Sequence, residues 1–200
     1  MIFYLASGNQ HKKIELSQIL SCHTIKIPSD DDIVFSPEEN GSSFYENSMI
    51  KAEAMFDIIK RPVISDDSGL VVDGLNGMPG IFSARFGDKE FGKKLCSKER
   101  NLYLLEMMKN LKDRCDRKAR FVCCMSLYIS PDCFYCVQET FEGEIAFEEQ
   151  GENGFGYDPV FFIPEYEKTA ACLGPEQKNA ISHRGKAAAG IAAIISHLYN

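Results

Sequence analysis

Apolar residues recur at helical spacing in four segments of the chain. Residues three or four apart share one face of a helix, so each segment would bury a single apolar stripe. Pro62 follows the second segment, as expected where a helix stops. The predicted helices span residues 10–20, 43–60, 98–112 and 185–199.

Short apolar runs between these helices predict β-strands. Ser130, Pro131 and Asp132 separate two of the runs and favour an antiparallel hairpin. Strands and helices alternate early and the hairpin dominates the middle, so we expect an α/β fold with a mixed sheet. The predicted strands span residues 2–6, 24–27, 63–65, 70–72, 121–129, 133–142 and 160–163, with another at 143–147.

The composition is that of an ordinary soluble globular protein, with 44% hydrophobic and 26% charged residues in a chain of 200. That length suits one domain, or two lobes sharing a core. A formal net charge of -7 argues against general binding to nucleic acid or an anionic membrane. Met1 to Ala6 lacks the pattern of a signal peptide and no apolar run is long enough to span a membrane, so we expect a cytoplasmic location.

Eight cysteines raise the question of zinc or disulfides. Cys133 and Cys136 form a lone C-x-x-C, but on a strand residues three apart point to opposite faces, which disfavours chelation. We expect the thiols to be buried as small hydrophobes. Structural disulfides are not expected without a secretory signal.

The turn between the first strand and the first helix is a candidate phosphate site. Backbone N–H groups and the helix dipole would attract an anion there, and a lysine adds charge, although the spacing is not that of a Walker A motif. The alternative is an ordinary helix start capped by Asn9. The residues concerned are Ser7, Gly8, Asn9, Gln10, His11 and Lys12.

Acidic residues form the second candidate cluster. Asp66 and Asp67, followed by Ser68, could bind a divalent cation or activate water, or could simply form a polar turn. Glu38 or Glu39 would add a carboxylate, unless both lie on a solvated surface. On the second helix, Asn47 and Lys51 share a face that would point into a phosphate site or be plainly exposed.

Two later segments carry groups suited to a nucleobase. An aromatic ring in the glycine-rich loop 154–159 could stack on a base, or could serve as a buried part of a structural turn. Segment 178–185 supplies hydrogen-bond donors for a purine edge or phosphate, or alternatively a helix cap and a surface pair. The candidate residues are Phe155, Gly156, Tyr157, Asp158, Lys178, His183 and Arg184.

Taken together, these motifs resemble those of the inosine triphosphate pyrophosphatase family, in order and nearly from end to end. The family usually has Thr where Ser7 stands, and both residues carry a hydroxyl. The matching motifs are Ser7-Gly8-Asn9-x-x-Lys12, Phe44-x-Glu46-Asn47 with Lys51, Asp66-Asp67-Ser68-Gly69-Leu70, Pro79-Gly80-Ile81-x-Ser83-Ala84-Arg85, Gly154-Phe155-Gly156-Tyr157-Asp158-Pro159 and Ile181-Ser182-His183-Arg184-Gly185.

The resemblance implies one pyrophosphatase domain over residues 1–200, with an elongated mixed sheet, two helical lobes, a central nucleotide-binding cleft and usually a homodimer. It implies Mg²⁺-assisted attack of water on the α-phosphorus of ITP, dITP or XTP, which removes them from the nucleotide pool as monophosphate and pyrophosphate. Asp67 would be general base and Mg²⁺ ligand, with Glu39 favoured as the second ligand. Lys51 would be the other catalytic residue and would help segment 7–12 to hold the triphosphate.

The resemblance also divides the substrate among the remaining residues. Segment 7–12 would hold the triphosphate and Ser68 would contact substrate, while residues 155–158, Lys178, His183 and Arg184 would surround the base and sugar. A donor such as Arg184 or His183 facing the C6 oxygen of hypoxanthine would disfavour adenine. The alternatives are a pyrimidine or modified-nucleotide pyrophosphatase and a catalytically silent nucleotide-binding protein.

Overall fold

The computed structural model describes residues 1–199. Its helices and strands follow the predicted alternation, connected by short 3₁₀ turns. In chain order the elements are β1 (Ile2–Leu5), α1 (Gln10–Ile19), β2 (Thr24–Lys26), α2 (Phe44–Ile59), β3 (Val63–Val72), α3 (Asp88–Phe91), α4 (Ser97–Met107), β4 (Lys118–Ser130), β5 (Cys133–Ile145), β6 (Phe161–Ile163), β7 (Lys168–Thr169), α5 (Pro175–Ile181) and α6 (His183–Tyr199).

The strands form one seven-stranded sheet in the order β2-β1-β3-β4-β5-β6-β7. β1 runs parallel to both β2 and β3, whereas β6 is antiparallel to β5 and β7. β4 and β5 are neighbours joined by two residues, a connection that only an antiparallel hairpin permits. The predicted mixed sheet and α/β class are confirmed.

The chain divides into two compact units. The first unit comprises residues 1–68 and 123–139 and continues from residue 182 to the end of the described chain. The second unit comprises residues 69–122 and 140–181. Strands β3, β4 and β5 each contribute residues to both units.

The first unit has apolar clusters on both faces of its sheet. Phe3 and Leu5 belong to one cluster and Tyr4 and Ala6 to the other, since successive side chains of a strand point to opposite faces. Helices α1 and α6 cover the first cluster through residues such as Leu16, and α2 covers the second. The predicted apolar stripes of these helices are therefore confirmed.

The second unit has an apolar cluster of its own. Phe161 lies within it, fully buried, at ring-centroid distances of 4.5 Å from Phe121 and 5.2 Å from Phe141. Leu104 and Met108 cover this cluster from α4 and the turn that follows it. Removing these large side chains from water is the main favourable term holding the unit together.

Several predicted boundaries are wrong. Residues 63–72 form one continuous strand, so Asp66 to Gly69 lie inside β3 and do not separate two short runs. The two aspartates can lie inside the strand because the lysines Lys12 and Lys51 pair with their carboxylates. Residues 143–145 extend β5 and form no separate strand, and α4 ends at Met107 because a tight turn closes on the carbonyls of Leu104 and Leu105.

The prediction of buried thiols is wrong for most cysteines. All eight are free; Cys123 and Cys124 are buried in β4, and Cys133 is half-buried. The other five lie in turns, at helix starts or on the outer face of the hairpin, where a short apolar run does not face a core. The exposed thiols are Cys22, Cys96, Cys115, Cys136 and Cys172. Within residues 1–199, no helix is both long and apolar enough to cross a membrane.

Candidate active site

The turn before α1 is organised by Asn9. Its Oδ1 accepts hydrogen bonds from the backbone N–H groups of His11 (2.9 Å) and Lys12 (3.4 Å), so Asn9 is an N-cap. Ser7 Oγ in turn accepts from Asn9 N–H at 3.2 Å. Four of the six amides predicted to bind phosphate, those of Ser7, Asn9, His11 and Lys12, are thus satisfied by the chain itself. Within residues 1–199, the backbone N–H groups of Gly8 and Gln10 have no such partner.

Asp66 and Asp67 point to opposite faces of β3 because they are consecutive residues of a strand. Asp66 points towards the side covered by α1 and α6, where it meets Lys12 and Arg184. Asp67 points towards α2, where it meets Asn47 and Lys51. One strand therefore presents two separate carboxylate centres, one on each side of the first unit's sheet.

The Asp66 centre is deeply buried and rich in cations. Lys12 Nζ lies 2.8 Å from Asp66 Oδ2, and the Nε of Arg184 lies 3.4 Å from the same oxygen. Burial works against the charged carboxylate, but Lys12 and Arg184 together hold the pKa of Asp66 well below its ordinary value. Asp66 Oδ1 is buried without a hydrogen-bond partner among the described residues.

Arg184 joins that centre to two further groups. Its Nη1 lies 2.5 Å from Glu15 Oε2, and its Nη2 donates to Ser68 Oγ at 2.9 Å. The structure therefore places Arg184 among the carboxylates of the first unit, and its predicted role at the base stays a prediction. His183, at the start of α6, is also buried in the first unit.

The Asp67 centre is built by α2. Asn47 and Lys51 stand one turn apart on this helix, and both are buried, so the prediction of a plainly exposed face is wrong. Lys51 Nζ lies 2.9 Å from Asp67 Oδ1 and 3.1 Å from Glu39 Oε2. Asn47 Nδ2 donates to Asp67 Oδ2 at 3.4 Å. Glu39 thus faces the centre, while Glu38 is exposed.

Burial controls the protonation of this centre. It raises the pKa of the Asp67 carboxyl above its ordinary value, and the Lys51 ammonium only partly offsets the effect. Burial works in the opposite direction on Lys51, but Asp67, Asp66 and Glu39 outweigh it and raise the pKa of the ammonium. The result is a buried carboxyl with a raised pKa beside a lysine whose charged form is favoured by the surrounding carboxylates.

The second unit contains the loop 154–159. Asp158 Oδ2 accepts from the backbone N–H of Phe155 (2.8 Å) and from Lys178 Nζ (2.7 Å), and Lys178 lies 5.1 Å from the centre of the Phe155 ring. Gly154 has φ +75°, and a Cβ there would lie 2.1 Å from Asp158 Oδ2, so the loop requires glycine at this position.

Tyr157 has a different role in this loop from Phe155. Its ring belongs to the second unit's apolar cluster, and its hydroxyl donates to the backbone carbonyl of Ser83 at 2.8 Å. Burial raises the pKa of the Tyr157 hydroxyl, so the group remains a donor at neutral pH. Phe155 is only half-buried, so its ring is the more accessible of the two to a ligand.

The predicted residues thus form three groups of contacts. Lys12, Ser68 and Arg184 meet at Asp66; Glu39, Asn47 and Lys51 meet around Asp67; and Phe155 to Asp158 meet Lys178 in the second unit. Sequence reasoning named Asp66 in the acidic cluster but gave it no separate role, and it missed Glu15. Glu15 stands three residues after Lys12 and shares its helical face, a signal that points to the same centre.

Asp67 and Glu39 are the residues that fit a divalent cation. In residues 1–199, no group of three or more His, Cys, Asp or Glu side chains lies close enough to hold a metal ion by itself. Mg²⁺ needs no such cage, because it is commonly held by one or two carboxylates together with water and substrate phosphates. The Asp67 and Glu39 oxygens, both within 3.1 Å of the Lys51 ammonium, would supply those two carboxylates.

Comparison with known proteins identifies the family. The sequence model of the Ham1 family matches residues 3–194. A protein named dITP/XTP pyrophosphatase from Treponema denticola is 51% identical over 195 residues, covering 98% of both chains. A protein of the same name from Escherichia coli is 43% identical over 189 residues, covering 92% of both.

The solved structures agree with the sequence comparison. A HAM1 protein from Coxiella burnetii superposes with a TM-score of 0.88 at 36% identity, covering 98% of this chain and 99% of its own. Likeness of sequence and fold therefore extends over nearly the whole chain, as the motifs predicted. The chain belongs to the Ham1 family.

Proposed function

We propose that this protein hydrolyses dITP, ITP and XTP to the nucleoside monophosphate and pyrophosphate, with Mg²⁺, by attack of water on the α-phosphorus. The chain is an enzyme, a nucleoside triphosphate pyrophosphatase, as the names of its full-length relatives indicate. The observation that carries the proposed mechanism is Asp67, a buried carboxylate bonded to Lys51 and Asn47, with its pKa raised by burial.

Asp67 is suited to act as the general base. A base is most effective when its pKa approaches the working pH, and burial moves Asp67 in that direction. Lys51 and Asn47 each bind one of its carboxylate oxygens and so fix the orientation of the group. In this role Asp67 takes a proton from the attacking water.

The site must also neutralise the negative charge of the triphosphate. The charged ends of Lys12 and Lys51 both lie in the first unit, and each is paired with a carboxylate, that of Asp66 or Asp67. Mg²⁺, when bound by Asp67 and Glu39, would act as a Lewis acid and screen the negative charge of the phosphate oxygens. Lys12 and Lys51 would stabilise the charge that develops on the departing pyrophosphate.

Base recognition is assigned to loop 154–159 of the second unit. The Phe155 ring offers a stacking surface, and the Lys178 ammonium, a hydrogen-bond donor, lies 5.1 Å from the centre of that ring. Hypoxanthine and xanthine present an acceptor oxygen at C6, whereas adenine presents an amino donor. A donor facing that position leaves adenine unpaired, which is a strong basis for discrimination. Mg²⁺ dependence, a homodimer and a cytoplasmic location stay predictions.

The experiment that tests this proposal is product analysis across a panel of ITP, dITP, XTP, ATP, GTP and dTTP, with Mg²⁺ and with EDTA. We expect Mg²⁺-dependent release of pyrophosphate from the first three at rates roughly 100-fold above ATP and GTP. Inorganic phosphate as the initial product would contradict the proposal, as would equal rates across all bases. Nucleotide binding without any turnover would favour a silent nucleotide-binding protein.

A further inference from the structure

Asn101 lies on α4 and binds the loop 154–159 from inside the second unit. Only 1% of its surface is exposed, and its Nδ2 donates to the backbone carbonyl of Gly156 (3.1 Å) and to Glu149 Oε1 (2.8 Å). Both partners are acceptors, so only the amide nitrogen can face them and the orientation of the side chain is fixed.

The oxygen of the Asn101 amide indicates why a polar residue stands at this position. Asn101 Oδ1 is buried and has no hydrogen-bond partner in the described part of the chain. An unsatisfied buried acceptor costs free energy, so an apolar residue would fill this space more favourably if packing were the only requirement. What the amide adds over an apolar residue is its two donated hydrogen bonds.

The point of attachment is where the loop has the greatest freedom. Gly154 and Gly156 both have positive φ, at +75° and +65°, and no atom lies within 4 Å of the position that a Cβ on Gly156 would take. Glycine loses more conformational freedom on ordering than any other residue. The hydrogen bond from Asn101 to the Gly156 carbonyl therefore fixes the orientation of the peptide between Gly156 and Tyr157.

We propose that Asn101 is a positioning residue for base recognition, which holds the loop 154–159 in its nucleotide-binding conformation through the Gly156 carbonyl. The inference rests on the proposed function, because that function assigns the base to this loop. Asn101 touches no reacting group, and its effect is transmitted through Gly156 to the Phe155 ring.

The test compares wild type with N101A and with N101L, whose side chain is close to asparagine in shape but has no donor and adds no charge beside Glu149. We expect the KM for dITP to rise roughly 10-fold in both variants, since the hydrogen bond to the Gly156 carbonyl is lost, while kcat stays within about 3-fold. The ratio of kcat/KM for dITP to that for ATP should fall as well. L102A, on the exposed side of the same helix, is the matched control and should behave as wild type.

Amide hydrogen exchange provides a second readout that a general loss of stability would not mimic. The N–H groups of residues 155–158 should exchange faster in the variants, while those of β4 keep their wild-type protection. Unchanged KM, unchanged selectivity or unchanged exchange in the loop would each overturn the inference. Equal losses in kcat for all nucleotides with faster exchange everywhere would also overturn it. A wild-type enzyme that does not release pyrophosphate from dITP would instead refute the proposed function.

Discussion

Buried charges are neutralised differently in the two units. In the first, Asp66 and Asp67 are paired with charged side chains, namely Lys12, Arg184 and Lys51. In the second, the buried guanidinium of Arg117 donates to four backbone carbonyls, those of Met108, Leu111, Ile145 and Ala146. Even the second unit's Asp158–Lys178 pair is tied to the backbone, through Phe155 N–H.

The difference corresponds to two kinds of task. Ion pairs between side chains provide cations that can also bind phosphate and carboxylates that can also bind a metal ion. A phosphoryl-transfer site requires both. A charged side chain that is hydrogen-bonded to the backbone fixes the conformation of a loop. Recognition of a neutral base requires such a defined shape. If this comparison is right, changes in the first unit should lower kcat or stability, and changes in the second should alter KM and selectivity.

The largest effect is expected for Asp67→Asn. The amide keeps the shape of the side chain but cannot accept the proton of water, so kcat should fall by about 10³-fold. Steady-state pyrophosphate release measures the loss, and equilibrium binding of dITP should survive it. A variant with more than about a tenth of wild-type kcat would show that Asp67 is not the general base.

Asp66→Asn is expected to cost stability. It leaves the buried Arg184 and the half-buried Lys12 without their shared carboxylate, which should lower the free energy of unfolding by about 3–5 kcal/mol. Urea denaturation measures this change. Asp57→Asn, in the exposed pair with Lys60, is the matched control and should leave the midpoint unchanged. Equal midpoints for the two variants would contradict the buried-charge interpretation.

Glu39→Gln separates the two candidate metal ligands. Glu39 lies 3.1 Å from Lys51 and faces Asp67, whereas Glu38 is exposed. The Mg²⁺ concentration for half-maximal activity should therefore rise roughly 10-fold in Glu39→Gln and stay at the wild-type value in Glu38→Gln. A Mg²⁺ titration of pyrophosphate release measures both, and the reverse result would exchange the assignment of the two residues.

Tyr157→Phe should give the smallest effect. The ring keeps its place in the apolar cluster, but the hydrogen bond to the Ser83 carbonyl is lost, which costs about 1 kcal/mol. We expect a small fall in the melting temperature and a KM for dITP raised by a few-fold. A large loss of kcat with KM unchanged would place Tyr157 in the chemistry and weaken the comparison between the units.

The sequence predicted the long periodic elements well and the short or polar ones poorly. Helices α1, α2 and α6 have apolar stripes that a period of 3.6 detects. α3, α5 and β7 were not predicted because four, seven and two residues are too few for a period to be visible. β3 was divided in two because cations that are distant in the sequence satisfy its carboxylates.

The site residues show the same limit. Asp67 and Lys51 could be named from their motifs. The sequence does not show how α2 packs against β3, which brings Lys51 and Asn47 to the two oxygens of the Asp67 carboxylate. Asn101 could have been identified from the sequence. It stands three residues before Leu104, on the apolar stripe of α4, and a polar residue in such a position implies a buried hydrogen bond. Which carbonyl it binds depends on the fold.

The central claim is that water activated by Asp67 attacks the α-phosphorus. Hydrolysis of dITP in ¹⁸O-labelled water, followed by mass spectrometry of both products, tests it most directly. The account predicts one ¹⁸O atom in the nucleoside monophosphate and none in the pyrophosphate. Label in the pyrophosphate would place the attack on the β-phosphorus and contradict the account.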